Sequence, residues 1–80
     1  MTAKTDLDKL RVLLPHWIEH NGEHAAEFRE WAERALVAER EDVAWNIKVA
    51  SEQLERANEA LAVALERLGG PLEGHQGGEP

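Results

Sequence analysis

The sequence predicts an all-α protein: a short N-terminal helix followed by a long αα-hairpin, associating as a dimer or higher oligomer into a four-helix-type bundle. Three observations carry this expectation. From Val43 to Leu68 the residues Ile47, Ala50, Leu54, Ala57, Leu61, Ala64 and Leu68 alternate at spacings of three and four, the pattern of a helix with a coiled-coil-like seam. From Pro15 to Arg40 the residues Trp17, Phe28, Trp31, Ala32, Ala35 and Ala38 recur on one side at helical spacing. Two such helices joined tightly leave much of each apolar stripe uncovered, and a second hairpin is the simplest cover.

Residues 1–5 are expected to be disordered, although Thr5 followed three residues later by Asp8 is a helix-start signal. Leu7, Leu10, Leu13 and Leu14 then supply the stripe of a first helix over 6–14. Pro15 has no N–H and disfavours the α conformation at Leu14, so it should end or kink that helix and open the next, over 15–40. Asn21-Gly22 would mark a hairpin turn elsewhere, but no alternating strand pattern flanks it; it reads as a helix interior weakened by about 1 kcal/mol relative to alanine. The run Glu39-Arg40-Glu41-Asp42 predicts a turn, with Asp42 as N-cap of a helix over 42–68 that Gly69-Gly70-Pro71 ends. Residues 69–80, rich in glycine and proline, are expected to form a disordered tail. Trp17, Trp31 and Trp45 share a heptad position, which points to core or interface.

With 80 residues the chain makes one domain, and domains this short usually depend on a metal, disulfides or a partner subunit. Having no cysteine, it can use neither disulfides nor thiolate ligands. Nine basic residues dispersed among sixteen acidic ones, net charge −7, disfavour nucleic acid and anionic membranes. No apolar run approaches a membrane span, and the N-terminus lacks a signal-peptide core, so a cytoplasmic location is expected.

Chemistry is concentrated between residues 16 and 27, where His-x-x-Glu occurs three times in succession: His16 with Glu19, His20 with Glu23, His24 with Glu27. On a helix turning about 100° per residue these form one strip, with His24 nearest the apolar face, His20 at its border, and His16 and Glu19 toward water. Imidazoles at i and i+4 can reach one Zn²⁺, Ni²⁺ or Fe²⁺ ion, with a carboxylate from the adjacent turn as further ligand or orienting group. The expected metal ligands are therefore His20 and His24, with His16 outermost and Glu23 and Glu27 beside them. One helix rarely completes a coordination sphere, so the remainder would come from a symmetry mate or water.

The competing reading is a metal-free oligomerisation module in which Asn21 and His24 are polar residues that fix register. Two enzyme readings are weaker. His16-Trp-Ile-Glu19-His20 and His20-Asn-Gly-Glu23-His24 both fit His-x-x-Glu-His, the inverted zinc-peptidase motif, but 80 residues offer no evident substrate cleft. Glu23-His24-Ala25-Ala26 is similar to a Glu-His-Ala-Ala segment of short encapsulated-ferritin-like di-iron proteins; here, however, each histidine precedes its carboxylate, the reverse of the Glu-x-x-His order of such sites. No catalytic residues are assigned, and a non-enzymatic role is expected.

The run Leu13-Leu14-Pro15-His16-Trp17-Ile18-Glu19-His20-Asn21, continued by Glu23-His24-Ala25-Ala26-Glu27-Phe28 and Trp31-Ala32, resembles a short helical domain of unknown function in bacteria and archaea. That domain stands alone or follows a small β-domain of the CooT-like nickel-binding proteins. The resemblance covers 7–68 loosely and 13–32 closely, and a charged residue stands there in place of Gly22. It implies a metal context, nickel handling, with a nickel-handling protein as a partner. The nickel site of those proteins uses an N-terminal cysteine of the β-domain, which this chain lacks, so only the histidine strip carries over. The expected function is metal handling, storage or sensing by a His/Glu site completed at a subunit interface.

Overall fold

Thr5 opens the first helix as its N-cap: the backbone is extended and the side-chain oxygen accepts from the Asp8 N–H at 3.1 Å, with Asp6 and Asp8 in the first turn where the helix dipole favours negative charge. In the computed structural model, which describes residues 5–72, this helix, α1, runs without interruption over Asp6–Val37, and a second, α2, over Glu41–Arg67. Among the described residues these two helices are the whole secondary structure, packed as an antiparallel hairpin, and neither is long and apolar enough to cross a membrane.

The expected break at Pro15 does not occur. Proline removes one intrahelical bond, that to the Arg11 carbonyl, and leaves the rest of the ladder intact. Both sides of the lesion are held: Leu14 is 3% exposed, and the Arg11 side chain is tied to the far end of the chain. The short N-terminal helix and the long helix are thus one element. Asn21-Gly22 stays helical, as the sequence implied.

Each helix ends in a similar way. At the end of α1 the N–H of Glu39 donates to the Leu36 carbonyl and that of Arg40 to the Ala35 carbonyl, both at 2.9 Å, with Glu39 in the left-handed region at φ 67°. At the end of α2 the N–H of Gly69 donates to Glu66 and that of Gly70 to Leu65, with φ 101° at Gly69. Only the second of these stops uses the glycine that such a position favours. Asp42 is not the N-cap; Arg40 occupies that place, and Asp42 lies in the first turn of α2. The start of the expected disordered tail is anchored, since Arg11 donates to the carbonyl oxygens of Gly70 at 2.7 Å, Gly69 at 3.3 Å and Pro71 at 3.4 Å. Residues 1–4 and 73–80, where the rest of the expected disorder falls, lie outside the described residues.

The seam between the helices follows a heptad on both sides. On α1 it runs through Leu14, Ile18, Asn21, Ala25, Phe28, Ala32 and Ala35, and on α2 through Ala44, Ile47, Ser51, Leu54, Asn58, Leu61, Leu65 and Leu68. The most buried side chains are small: Ala25, Ala32, Ala44 and Ser51, with Leu14 the one large exception. The Ser51 hydroxyl is satisfied by donating to the Lys48 carbonyl at 2.7 Å. Register is set by a pair of amides, Asn21 Nδ2 donating to Asn58 Oδ1 at 3.0 Å and Asn58 Nδ2 to the Ile18 carbonyl at 2.9 Å. The predicted α2 stripe is therefore half right: Ile47, Leu54, Leu61 and Leu68 lie in the seam, whereas Ala57 and Ala64 are exposed beside it.

The tryptophans are not hairpin core. Trp17, Trp31 and Trp45 are 41%, 51% and 65% exposed, and their common spacing fails because the chain reverses at residues 38–40. Trp17 and Trp31 lie on one flank of α1, while Trp45 stands on the opposite face with Leu36, Glu33 and Lys48.

Candidate metal-binding strip

Because α1 does not break at Pro15 or Gly22, the three histidines stay in line. The rings of His16 and His20 have centroids 6.0 Å apart, those of His20 and His24 4.9 Å apart and edge-on, and His24 is followed by Phe28 at 6.2 Å. Of the carboxylates, Glu27 stands beside the strip, its Oε1 3.7 Å from His24 Nδ1, while Glu23 is exposed and pairs with no histidine among the described residues.

The strip forms one wall of an open groove along a single face of the hairpin. Its wider part, about 910 Å³, is lined by His24, Glu27, Phe28 and Trp31 from α1 and by Val43, Ile47, Ala50 and Leu54 from α2. Further toward the open end His16, Trp17 and His20 face Leu61. All three histidines are exposed: His24, half exposed, lies on the flank of the seam rather than within it, and His16 lines the groove together with His20. His20 and His24 sit about a quarter turn from the seam, because they precede by one the seam residues Asn21 and Ala25.

Among the described residues no three His, Asp or Glu side chains converge on a point where one metal ion could sit. What one chain offers is a pair of imidazoles one turn apart, with a carboxylate adjoining one of them. Neutral imidazole suits zinc, nickel and ferrous ions, and two such donors leave positions for others. At the closed end of the groove, the Arg40 guanidinium reaches both oxygens of Asp42 at 3.2 and 3.3 Å and, with the Val43 N–H, holds that carboxyl below its ordinary range.

Two functional features escaped sequence reading. Asn58 completes the amide pair with Asn21, and only its offset from the alanine stripe could have signalled it. Trp17 and Trp31 line the groove beside the histidines, a placement that needed the actual seam to be known.

No solved structure matches the chain. An uncharacterized protein of Archaeoglobus fulgidus is 33% identical over 63 residues, which are 79% of this chain and the whole of that protein. A family model matches residues 10–68, from within the first turns of α1 to the end of α2 and so the entire groove. The chain belongs to the family described as Domain of unknown function (DUF8180).

Proposed function

We propose that this chain is a small, non-enzymatic protein that binds a divalent transition metal, with His20 and His24 as principal ligands, Glu27 as the adjoining carboxylate, and His16 and Glu23 at the margins of the site. The observation that supports this reading is the stack of three imidazoles on one helix flank, with His20 and His24 in edge contact at a groove rather than on a fully solvated surface. The set lacks the further donors that a closed site requires. A second chain supplies them, and the metal is held between subunits. The resemblance to a domain found beside CooT-like nickel-binding proteins makes nickel the first ion to try.

Calorimetric titration of metal-free protein with Ni²⁺, Zn²⁺ and Fe²⁺, beside the double variant His20→Ala/His24→Ala, tests the reading. Alanine favours helix, so the variant keeps the hairpin, and helical circular dichroism checks that it does. Binding by the natural chain that falls at least tenfold in the variant is expected; equal binding, or none in either, overturns the proposal.

A second reading is favoured by Trp17, Phe28 and Trp31 in the same groove: a metal-free interaction module whose histidines only tune packing. It predicts that assembly and thermal stability are indifferent to EDTA, whereas the metal reading predicts that chelation lowers stability.

A further inference from the structure

We propose that the occupant of the groove is a second copy of this chain, turned end over end about a two-fold axis that crosses the hairpin at the level of Gly22 and Ala57. The level comes from the amide pair. Asn21 is bonded to Asn58, so in antiparallel helices Gly22 lies beside Ala57, and Gly22 is also at the middle of α1, Asp6–Val37.

About this level some residues of the groove face fall in like or apolar pairs, while Glu27 falls opposite Trp17 and Phe28 opposite His16. His20 and His24 stand two residues either side of Gly22, and Leu13 and Trp31 nine either side. On α2, Ala50 and Ala64 stand seven either side of Ala57. The axis therefore sets Ala57 on Ala57, Ala50 on Ala64, Trp31 on Leu13 and His20 on His24. Across a two-fold axis each residue meets the one equally far on the other side of the level, so these pairs would lie in contact.

Direction and size agree. On a wheel of about 100° per residue, the line through His20 and His24 lies about a quarter turn from the α1 seam, and the line through Ala50, Ala57 and Ala64 about a quarter turn from the α2 seam. Two contact faces a quarter turn apart are what a helix in a four-helix bundle of square section presents. The flank of α2 between Val43 and Ala64 that faces the groove carries no charge, because Lys48, Glu52, Glu55, Arg56 and Glu59 fall elsewhere on the helix wheel. The carboxylates at the groove are Glu27 on α1 and Asp42 at its closed end, the latter paired with Arg40. In a chain of net charge −7 this segregation lessens the repulsion between copies along the α2 side of the face. Alanines let the two α2 helices approach to about 8 Å, the close end of the helix-packing range. A two-helix face about 40 Å long and about 20 Å wide offers on the order of 800 Å² per copy, which is the size of a standard stable interface.

The consequence for chemistry rests on the metal reading above: two His20 and two His24 meet in one layer at the axis. The dimer itself stands without the metal.

The natural chain has no cysteine, so single cysteines report the geometry cleanly. In EDTA the protein should sediment at twice its 9.0 kDa. Ala57→Cys should oxidise to a covalent dimer, because the axis brings the residue to its own copy within disulfide reach. Ala50→Cys should not do so alone but should cross-link when mixed with Ala64→Cys; circular dichroism confirms that each variant keeps its helices. A monomer at sub-millimolar concentration, a dimer in which Ala57→Cys stays reduced, or Ala50→Cys closing on itself as readily as Ala57→Cys would each overturn the arrangement. A dimer in EDTA that binds no added metal sinks the metal reading alone, and a monomer that binds metal sinks this one alone.

Discussion

The seam and the groove of this hairpin are built in opposite senses. Inside the seam, the most buried side chains are three alanines, a serine and one leucine, Leu14, and the register is held by two asparagines. Outside, in the groove, stand Trp17 and Trp31 and the outer edges of Phe28, Leu54 and Leu61. An ordinary small domain places its large apolar side chains in its own core. Here the helices are brought close by small residues, and much of the apolar surface is turned outward, so the hydrophobic free energy that would secure the fold is still available for association.

The largest effect that separates the two regions comes from size. Ala25→Leu, at a seam position that is 1% exposed, should cost about 1–3 kcal/mol through overpacking and lower the midpoint of urea unfolding. Trp31→Ala, at a groove position that is half exposed, should leave the unfolding of the isolated hairpin nearly unchanged while weakening association in sedimentation. If the two substitutions acted alike, the contrast between seam and groove would be wrong.

A smaller change of opposite sign is expected at Gly22. A β-carbon there meets only Asn58 Nδ2, at 3.9 Å, an ordinary contact. Gly22→Ala should therefore stabilise by about 0.5–1 kcal/mol in thermal unfolding, since alanine is the better helix residue and nothing in the seam must move. Destabilisation would show the amide pair to be more tightly enclosed than the groove.

The smallest effect belongs to Asp42. Its carboxyl is held below the ordinary range by Arg40, so the charged form favours the folded state; the contribution is present at neutral pH and lost as the pH falls through the lowered value. Asp42→Asn should melt slightly below the natural chain at pH 7, with the gap closing once the pH is well under about 4. A gap that persisted in acid would point to packing rather than charge.

The helices and their reversal were legible in the sequence, because long runs of three-four spacing admit little else. Three things were not. Pro15 suggested a break, yet one missing bond is a minor loss when Leu14 and Arg11 fix the adjoining turn. The stop of α1 falls at Glu39, in a conformation usually given to glycine, so no residue type announced it, whereas Gly69 announced the stop of α2. The seam of α2 was misread by one step because Ser51 and Asn58 look polar; only the Asn21 amide and the Lys48 carbonyl show that their polarity is satisfied inside. The candidate site shared that fate. The imidazole strip was evident from spacing alone, but which flank it occupied depended on the seam.

Arg11 gives the fold a clasp. The turn at residues 38–40 closes one end of the hairpin through neighbours in sequence, while the guanidinium closes the other by gripping Gly69, Gly70 and Pro71 across most of the chain. Pairing that spreads outward from the turn makes short-range contacts first and reaches this one last. A contact formed after the folding barrier slows opening without hastening closure. Arg11→Ala should therefore speed unfolding in stopped-flow denaturation while leaving the folding rate nearly unchanged, since the clasp holds Gly70 against the early turns of α1.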